Sequence, residues 1–285
     1  MASMRDIKRR KGSIQSTQQI TKAMKLVSTV KLQKARGKAE NTKAYFESMY
    51  RTVTSMLARS GNIDHPYLKG GESSKKAVIV ITSNRGLAGG YNMNVAKLVT
   101  GADFPKEDVE LYTIGNKGRE YLAGKGYLVR EDYSDVINEP IYRDAMDIGK
   151  KVLDSFAAGE VGEIYLAYTW FKNTVVHEPR LMKLLPIEIE DAKEEDTGSA
   201  APMNYEPEEE TALNMIIPKY VTSLLYGALL EALASENGAR MQAMDAATSN
   251  AEEMIEHLSL LYNRARQGSI TQEITEIIAG AEAIS

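Results

Sequence analysis

Cysteine is absent from the 285-residue chain, which excludes disulfide frameworks, cysteine zinc sites, iron–sulfur clusters and a thiolate nucleophile. That absence suits a reducing compartment. Histidine is nearly absent: His65, His177 and His257 lie far apart and show no ligand spacing, which argues against a histidine metal site. Long apolar runs are also missing. Tyr220 to Leu230 is the nearest approach to the ~20 residues of a membrane span, and Glu231 closes it. The basic start, MASMRDIKRRKGS, leads into no apolar stretch, so a secretory signal is not expected. Proline is absent from residues 1–65 and 219–285, although the chain holds eight. A helix interior loses about 3 kcal/mol to a proline, so two very long helices are permitted there.

What is present is charge, unevenly spread. Residues 1–60 carry a net +11 and residues 206–285 a net −9, within an overall −4. Opposite charge favours pairing of the two ends and opposes self-pairing of either. Ile20, Met24, Val27 and Val30, then Met49, Val53 and Met56, recur at spacings of three and four. Ala247, Ala251, Met254, Leu258, Leu261 and Ala265 do the same near the other end. This is the seam of a coiled coil. An ordinary amphipathic helix is the plainer reading, but helices over 3–58 and 211–283 would span about 84 and 110 Å at 1.5 Å per residue. Typical globular helices run about 8–20 residues. Antiparallel pairing is the economical topology, because the chain must return through whatever lies between. Beyond Gly268 the apolar positions Ile270, Ile274, Ile277, Ala281 and Ile284 are displaced by two from the earlier phase. The stripe therefore rotates around the helix, and a tip outrunning its partner must bury these residues against another chain.

The middle reads as α/β. KAVIVITS (Lys76–Ser83) is a buried strand followed by a Gly-rich turn, NRGLAGGY (Asn84–Tyr91), and a helix through Leu98. Further strands are expected near Val109–Ile114, Tyr127–Arg130, Glu163–Phe171 and Arg180–Leu185, with helices over Asn116–Gly124 and Ile141–Ala158. The fold expected is α/β: a long antiparallel two-helix coiled coil from the terminal segments (1–60 and 211–285), plus a Rossmann-like, mainly parallel α/β domain over 75–187. A solvated acidic linker over 188–210 joins the domain to the last helix.

Catalytic patterns fail. Gly86, Gly89 and Gly90 are spaced G-x-x-G-G, matching neither the dinucleotide nor the P-loop phosphate motif, so a tight strand-to-helix turn is the favoured reading. Ser83, Asp103 and His177 could be strung into a triad, but no nucleophile-elbow motif frames the serine. No bound cofactor and no metal are expected.

Three ordered segments carry a resemblance that runs over essentially the whole chain and is weakest in the acidic linker. SIQSTQQITKAMKLVSTVKLQKA (Ser13–Ala35), ARMQAMDAATSNAEEMI (Ala239–Ile255) and LYNRARQGSITQEITEIIAGAEA (Leu261–Ala283) resemble the gamma subunits of F-type ATP synthases. GLAGGYN (Gly86–Asn92) is similar to that family's turn, with Ala88 where many relatives carry cysteine. The resemblance implies a central rotor shaft with no active site. It implies alpha and beta subunits in a hexameric ring, an epsilon subunit and a membrane c-ring as partners, with MgATP and MgADP held by the ring. Membrane association would come through the complex only, on the cytoplasmic face of a bacterial cell membrane, since no Arg- and Ser-rich transit peptide is visible.

Residue by residue, the resemblance places Met24 and Arg240 in the region of coupling to beta. It places Arg266, Gln267, Thr271, Glu273 and Glu276 at the upper ring contact, with Ile270, Ile274 and Ile277 as bearing residues. Lys8, Arg9, Arg10 and Lys11 would meet acidic loops of beta. Plainer readings exist: Met24 as a seam residue, Arg240 as an exposed i,i−4 partner of Glu236, the basic run as a solvated face. Two other functions are expected to leave different marks. A nucleic-acid protein using the basic first helix would bind with steep salt dependence, but the acidic partner helix opposes it. A nucleotide-dependent transferase would need nucleotide at Gly86–Gly90.

Overall fold

The computed structural model describes residues 3–59, 65–71, 73–187 and 209–282. It falls into two compact units: Met1–Ser28 with Met241–Ser285, and Thr29–Arg240. Helix α1 (Met4–Arg59) and the last helix, α6 (Glu209–Glu282), each contribute to both. The units therefore do not follow the helix ends, where the sequence places its boundaries. Of the acidic linker, 188–208 lies outside the described residues, while Glu209 and Glu210 already begin α6.

In the larger unit, a five-stranded sheet forms from β1 (Lys76–Ile81), β2 (Val109–Ile114), β3 (Leu128–Asp132), β4 (Glu163–Phe171) and β5 (His177–Leu185), in the order β3-β2-β1-β4-β5. The pairs β3–β2, β2–β1 and β1–β4 are parallel, and β5 runs antiparallel to β4 at the edge. Between them come α2 (Pro66–Lys69), α3 (Tyr91–Gly101), α4 (Asn116–Gly124) and α5 (Tyr142–Ala157). Strand β1 explains its continuous apolar run by facing two cores. Ala77, Ile79 and Ile81 join one with α5 and α6; Val78 and Val80 join another with Val95 and Val99 of α3 and Leu122 of α4. The expected strands and helices are all present, with ends shifted by up to three residues.

The first core also answers two expectations. Met49, Val53 and Met56 pack in it beside the sheet, so they are core residues of the α/β layer and not part of a coiled-coil seam. The apolar stretch Tyr220–Leu230 lies there too, with Val221, Leu225 and Leu229 fully buried, which accounts for its hydropathy. Helix α6 runs unbroken through Pro218. The missing hydrogen bond is offset by Leu213, Ile217 and Val221, buried on either side of it.

The smaller unit pairs residues of α1 and α6 antiparallel, as expected. Gln18 Nε2 donates to Glu252 (3.0 Å), the Thr21 and Thr248 hydroxyls share a buried bond (2.8 Å), and Lys25 Nζ meets Asp245 (2.5 Å). One number rises as the other falls. The phase of the seam, however, differs from the apolar pattern. On α1 the inward positions are Ile7, Lys11, Ile14, Gln18, Thr21, Lys25 and Ser28, in strict four-three alternation, while Ile20, Val27 and Val30 are exposed by 60, 57 and 67%. On α6, Ala251, Leu258 and Ala265 keep their expected places and Ala247 is half-buried, but Thr248 is buried beside it and Ile255 and Tyr262 turn inward in place of the exposed Met254 and Leu261. The physical reason is charge and size. Small hydroxyls that hydrogen-bond each other let the helices approach, and the lysine and glutamine stems cover the flanks while their heads find acidic partners.

Candidate functional site

Two helical surfaces and one turn gather the residues singled out in the sequence. The first surface is the C-terminal end of α6. Continued at the register set by Gln18–Glu252, Met4 falls opposite Arg266, so the helix beyond has no seam partner among the described residues. Ile270, Ile274, Ile277 and Ile278 stand exposed by 47, 52, 70 and 54%. Residues 270–281 are exposed throughout, as are Arg266 and Gln267. Among the described residues the bonds of its polar members are local: Ser269 donates to Glu273 (3.4 Å), Gln272 to Glu276 (2.9 Å) and the Thr275 hydroxyl to the Thr271 carbonyl (2.8 Å). This arrangement leaves both faces of the tip open to a partner.

The second surface is the outer side of α1. Ile20, Leu26, Val27 and Val30 form an exposed apolar stripe flanked by exposed Lys22, Lys31 and Lys34. Periodicity found these residues but assigned them to the inner side; only their burial shows that they face out. Met24 is half-buried at the margin between stripe and seam. Lys8, Arg9 and Arg10 are exposed and Lys11 half-buried; Arg9 makes a local pair with Asp6 (3.3 Å) with its side chain 83% exposed.

Arg240 lies elsewhere and faces inward. Its guanidinium pairs with Glu236 Oε1 at 2.8 Å, both side chains being only about a tenth exposed (12 and 11%). A second amino group donates to the carbonyls of Arg85 and Gly86, 3.4 Å each. The exposed i,i−4 pair expected of it is thus a largely buried one, a correction that follows from the Gly-rich turn packing over this part of α6. The turn is internally tied. Asn92 Oδ1 accepts from the Ser83 amide (2.8 Å) and hydroxyl (2.9 Å), and the Tyr91 hydroxyl donates to the Ala232 carbonyl of α6 (3.1 Å). Burial pushes the Tyr91 phenol well up, helped by the nearby Glu236 carboxylate. The serine of the discarded triad is consumed here: its one hydroxyl proton is shared between Asn92 Oδ1 and the Arg85 carbonyl (2.6 Å). The turn is therefore a joint between strand and helix, as its spacing indicated. The sequence singled out Glu236 only as an exposed i,i−4 partner of Arg240 and did not signal its burial, and it gave Asn92 no role beyond its place in the turn.

The elements define a class: a two-helix antiparallel coiled coil whose helices continue into a Rossmann-like α/β layer, with apolar and charged surfaces left open. The ATP synthase family model matches residues 3–284. The ATP synthase gamma chain of Lachnoclostridium phytofermentans is 69% identical over the full length of both chains. The sodium-ion-specific gamma chain of Acetobacterium woodii is 42% identical, covering 99% of each. Among solved structures, a chain from the central stalk and c-ring of the Tetrahymena thermophila mitochondrial ATP synthase aligns with a TM-score of 0.61 at 26% identity, over 80% of this chain and 99% of that one. A chain of the Euglena gracilis mitochondrial enzyme reaches 0.70 at 19% identity over 99 and 94%, a likeness of fold. The chain belongs to the family of ATP synthase gamma chains, the non-catalytic central-stalk subunit of that complex. Neither the nucleic-acid nor the transferase reading finds support in that family.

Proposed function

We propose that this chain works as the rotor shaft of an ATP synthase, coupling rotation of a membrane c-ring to ATP synthesis and hydrolysis in a hexameric ring of alpha and beta subunits. The observation that carries this reading is the open tip of α6, where four isoleucines stand exposed beyond the last seam partner. Apolar surface of that kind is stabilised only when another chain covers it.

Ile270, Ile274 and Ile277 are the bearing residues of this contact, and Arg266, Gln267, Thr271, Glu273 and Glu276 supply hydrogen bonds and ion pairs that change with rotor angle. Lower down, Met24 with Lys8, Arg9, Arg10 and Lys11 faces acidic segments of beta, and the exposed stripe of Ile20, Val27 and Val30 joins that contact. Arg240 contributes through the turn it holds. A shaft that differs around its circumference meets three equivalent beta subunits in three ways and stabilises a different nucleotide affinity in each. Nucleotide binding biases the rotor angle by the same coupling energy. MgATP and MgADP belong to the ring; the α/β layer bears on epsilon and the c-ring. The chain sits peripherally on the cytoplasmic face of a bacterial membrane, held there by the complex.

The test is MgATP hydrolysis by the full chain alone and by its co-purified assembly with alpha and beta subunits. The expected result is no turnover alone and a stable, hydrolysing complex. Turnover by the isolated chain, or failure to form the complex, would contradict the proposal.

A further inference from the structure

Glu236 is a carboxylate that no motif singled out, on the inner side of α6 and 11% exposed. Burial lifts its carboxyl above the usual carboxylate range, while three cations draw it back down: Arg240 most strongly, then Lys31 of α1 and Arg85 of the Gly-rich turn. One acid thus faces charges from three elements. Among the described residues only Arg240 reaches a bond with it, at 2.8 Å, and that bond fixes which way the planar guanidinium points. Its other amino group is then directed at the carbonyls of Arg85 and Gly86.

Those carbonyls open a strained turn. Leu87 is the one non-glycine residue with positive φ (62°) among the described residues, and Gly89 follows at 56°. Such conformations persist only where the surroundings over-determine them. Three further ties do so here. The Asn84 side chain donates to the Ser134 carbonyl (2.7 Å) and accepts from the Asn116 amide (3.0 Å), and Tyr91 holds Ala232. Leu87 itself is 63% exposed, so the strain is not repaid by burying its side chain.

We infer that Glu236 is a positioning residue: it aims Arg240 inward, and the pair locks turn 84–91 to α6 so that the turn keeps a fixed angle around that helix. The lock stands on the geometry alone; its consequence for coupling rests on the rotor reading above. A shaft that transmits torque must not let its surface slip relative to its axis, and this pair joins the sheet layer's first turn to the helix.

The test begins with hydrogen–deuterium exchange in the full chain, comparing Glu236→Gln and the milder Arg240→Lys with the unmodified protein. Lysine keeps the charge but cannot span the carboxylate and two carbonyls together. Exchange over 84–94 should quicken on the order of tenfold in both, with β1 and β4 protection retained as the check on folding. Unchanged exchange over 84–94 in both variants would overturn the lock. A change seen only after assembly with alpha and beta would overturn it too, and would return Arg240 to direct ring contact. In the membrane complex, both variants should assemble and hydrolyse ATP with loss of ion pumping per ATP hydrolysed. Quickened exchange with undiminished pumping would overturn the positioning role. Failure of the unmodified chain to assemble would remove the rotor reading and leave the exchange result standing.

Discussion

Helix α6 does different work in the two units. Within Thr29–Arg240 it buries Leu213, Ile217, Val221, Leu225 and Leu229 to the point of full exclusion from water, against a sheet that is itself covered on both faces. Within Met241–Ser285 it buries Met244, Thr248, Ala251 and Leu258 against a single helix, and over 270–281 every residue is exposed. A residue between two layers loses most of its hydration, whereas a two-helix seam covers one narrow stripe of each helix. The larger unit therefore holds the stability, and the smaller one leaves apolar surface uncovered for partners.

Breaking the larger unit should cost most. Leu229→Ala removes a side chain with no exposure and is expected to destabilise the chain by about 2–5 kcal/mol, read as a lowered denaturant midpoint. The equivalent loss in the seam, Leu258→Ala, should fall at or below the bottom of that range, because a position 7% exposed beside one partner helix can relax and rehydrate. Equal losses at the two sites would erase the distinction between the units.

Acid should weaken the larger unit through Glu110, whose side chain is 3% exposed between Lys75 (2.9 Å) and Arg130 (2.6 Å). Burial alone would raise its carboxyl, but the hydrogen bonds from Lys75 and Arg130 outweigh it and hold the group below the usual range. The carboxyl thus ionises at lower pH folded than unfolded. Its contribution is complete above the ordinary carboxylate range and is lost as pH falls through the depressed value. Stability measured across that acid window should slope less in Glu110→Gln than in the unmodified chain.

Smaller effects sharpen the description of the seam. Thr21→Val alone should cost about 0.5–1.5 kcal/mol by removing the bond across the seam, although Thr248 keeps the Met244 carbonyl (2.7 Å), and the double change with Thr248→Val should cost less than the two single changes together. A double-mutant cycle on thermal unfolding reads this directly. The exposed Lys25–Asp245 pair should contribute least, about 0.2–1 kcal/mol and falling with salt.

Much of the fold was legible in the sequence because its signals were local. A run of β-branched residues, a turn of glycines and the absence of proline each act within a few residues, and β2, β4 and α4 fall where those signals place them. The phase of the seam was not legible in that way. Apolar periodicity selects Ile20, Val27 and Val30, but in a polar seam the inward side is decided by bonds across the pair, such as Thr21–Thr248, between residues 227 apart. The same logic misplaced Met49, Val53 and Met56, since a stripe at helical spacing fits a sheet as well as a helix. Arg240 fails for a related reason: its spacing from Glu236 was visible, but the turn that buries the pair lies about 150 residues away. The exposed tip was legible, because it follows from the unequal lengths of the two helices, 56 and 74 residues, and a break in phase.

That tip carries the central claim, and removing residues 270–285 tests it in two readings on one variant. In the free chain the melting temperature should be unchanged, because none of residues 270–281 is buried. In the assembly with alpha and beta subunits the same deletion should alter sustained ATP hydrolysis. A deletion that destabilises the free chain, or one that leaves hydrolysis by the assembly untouched, would contradict a tip held open for the ring.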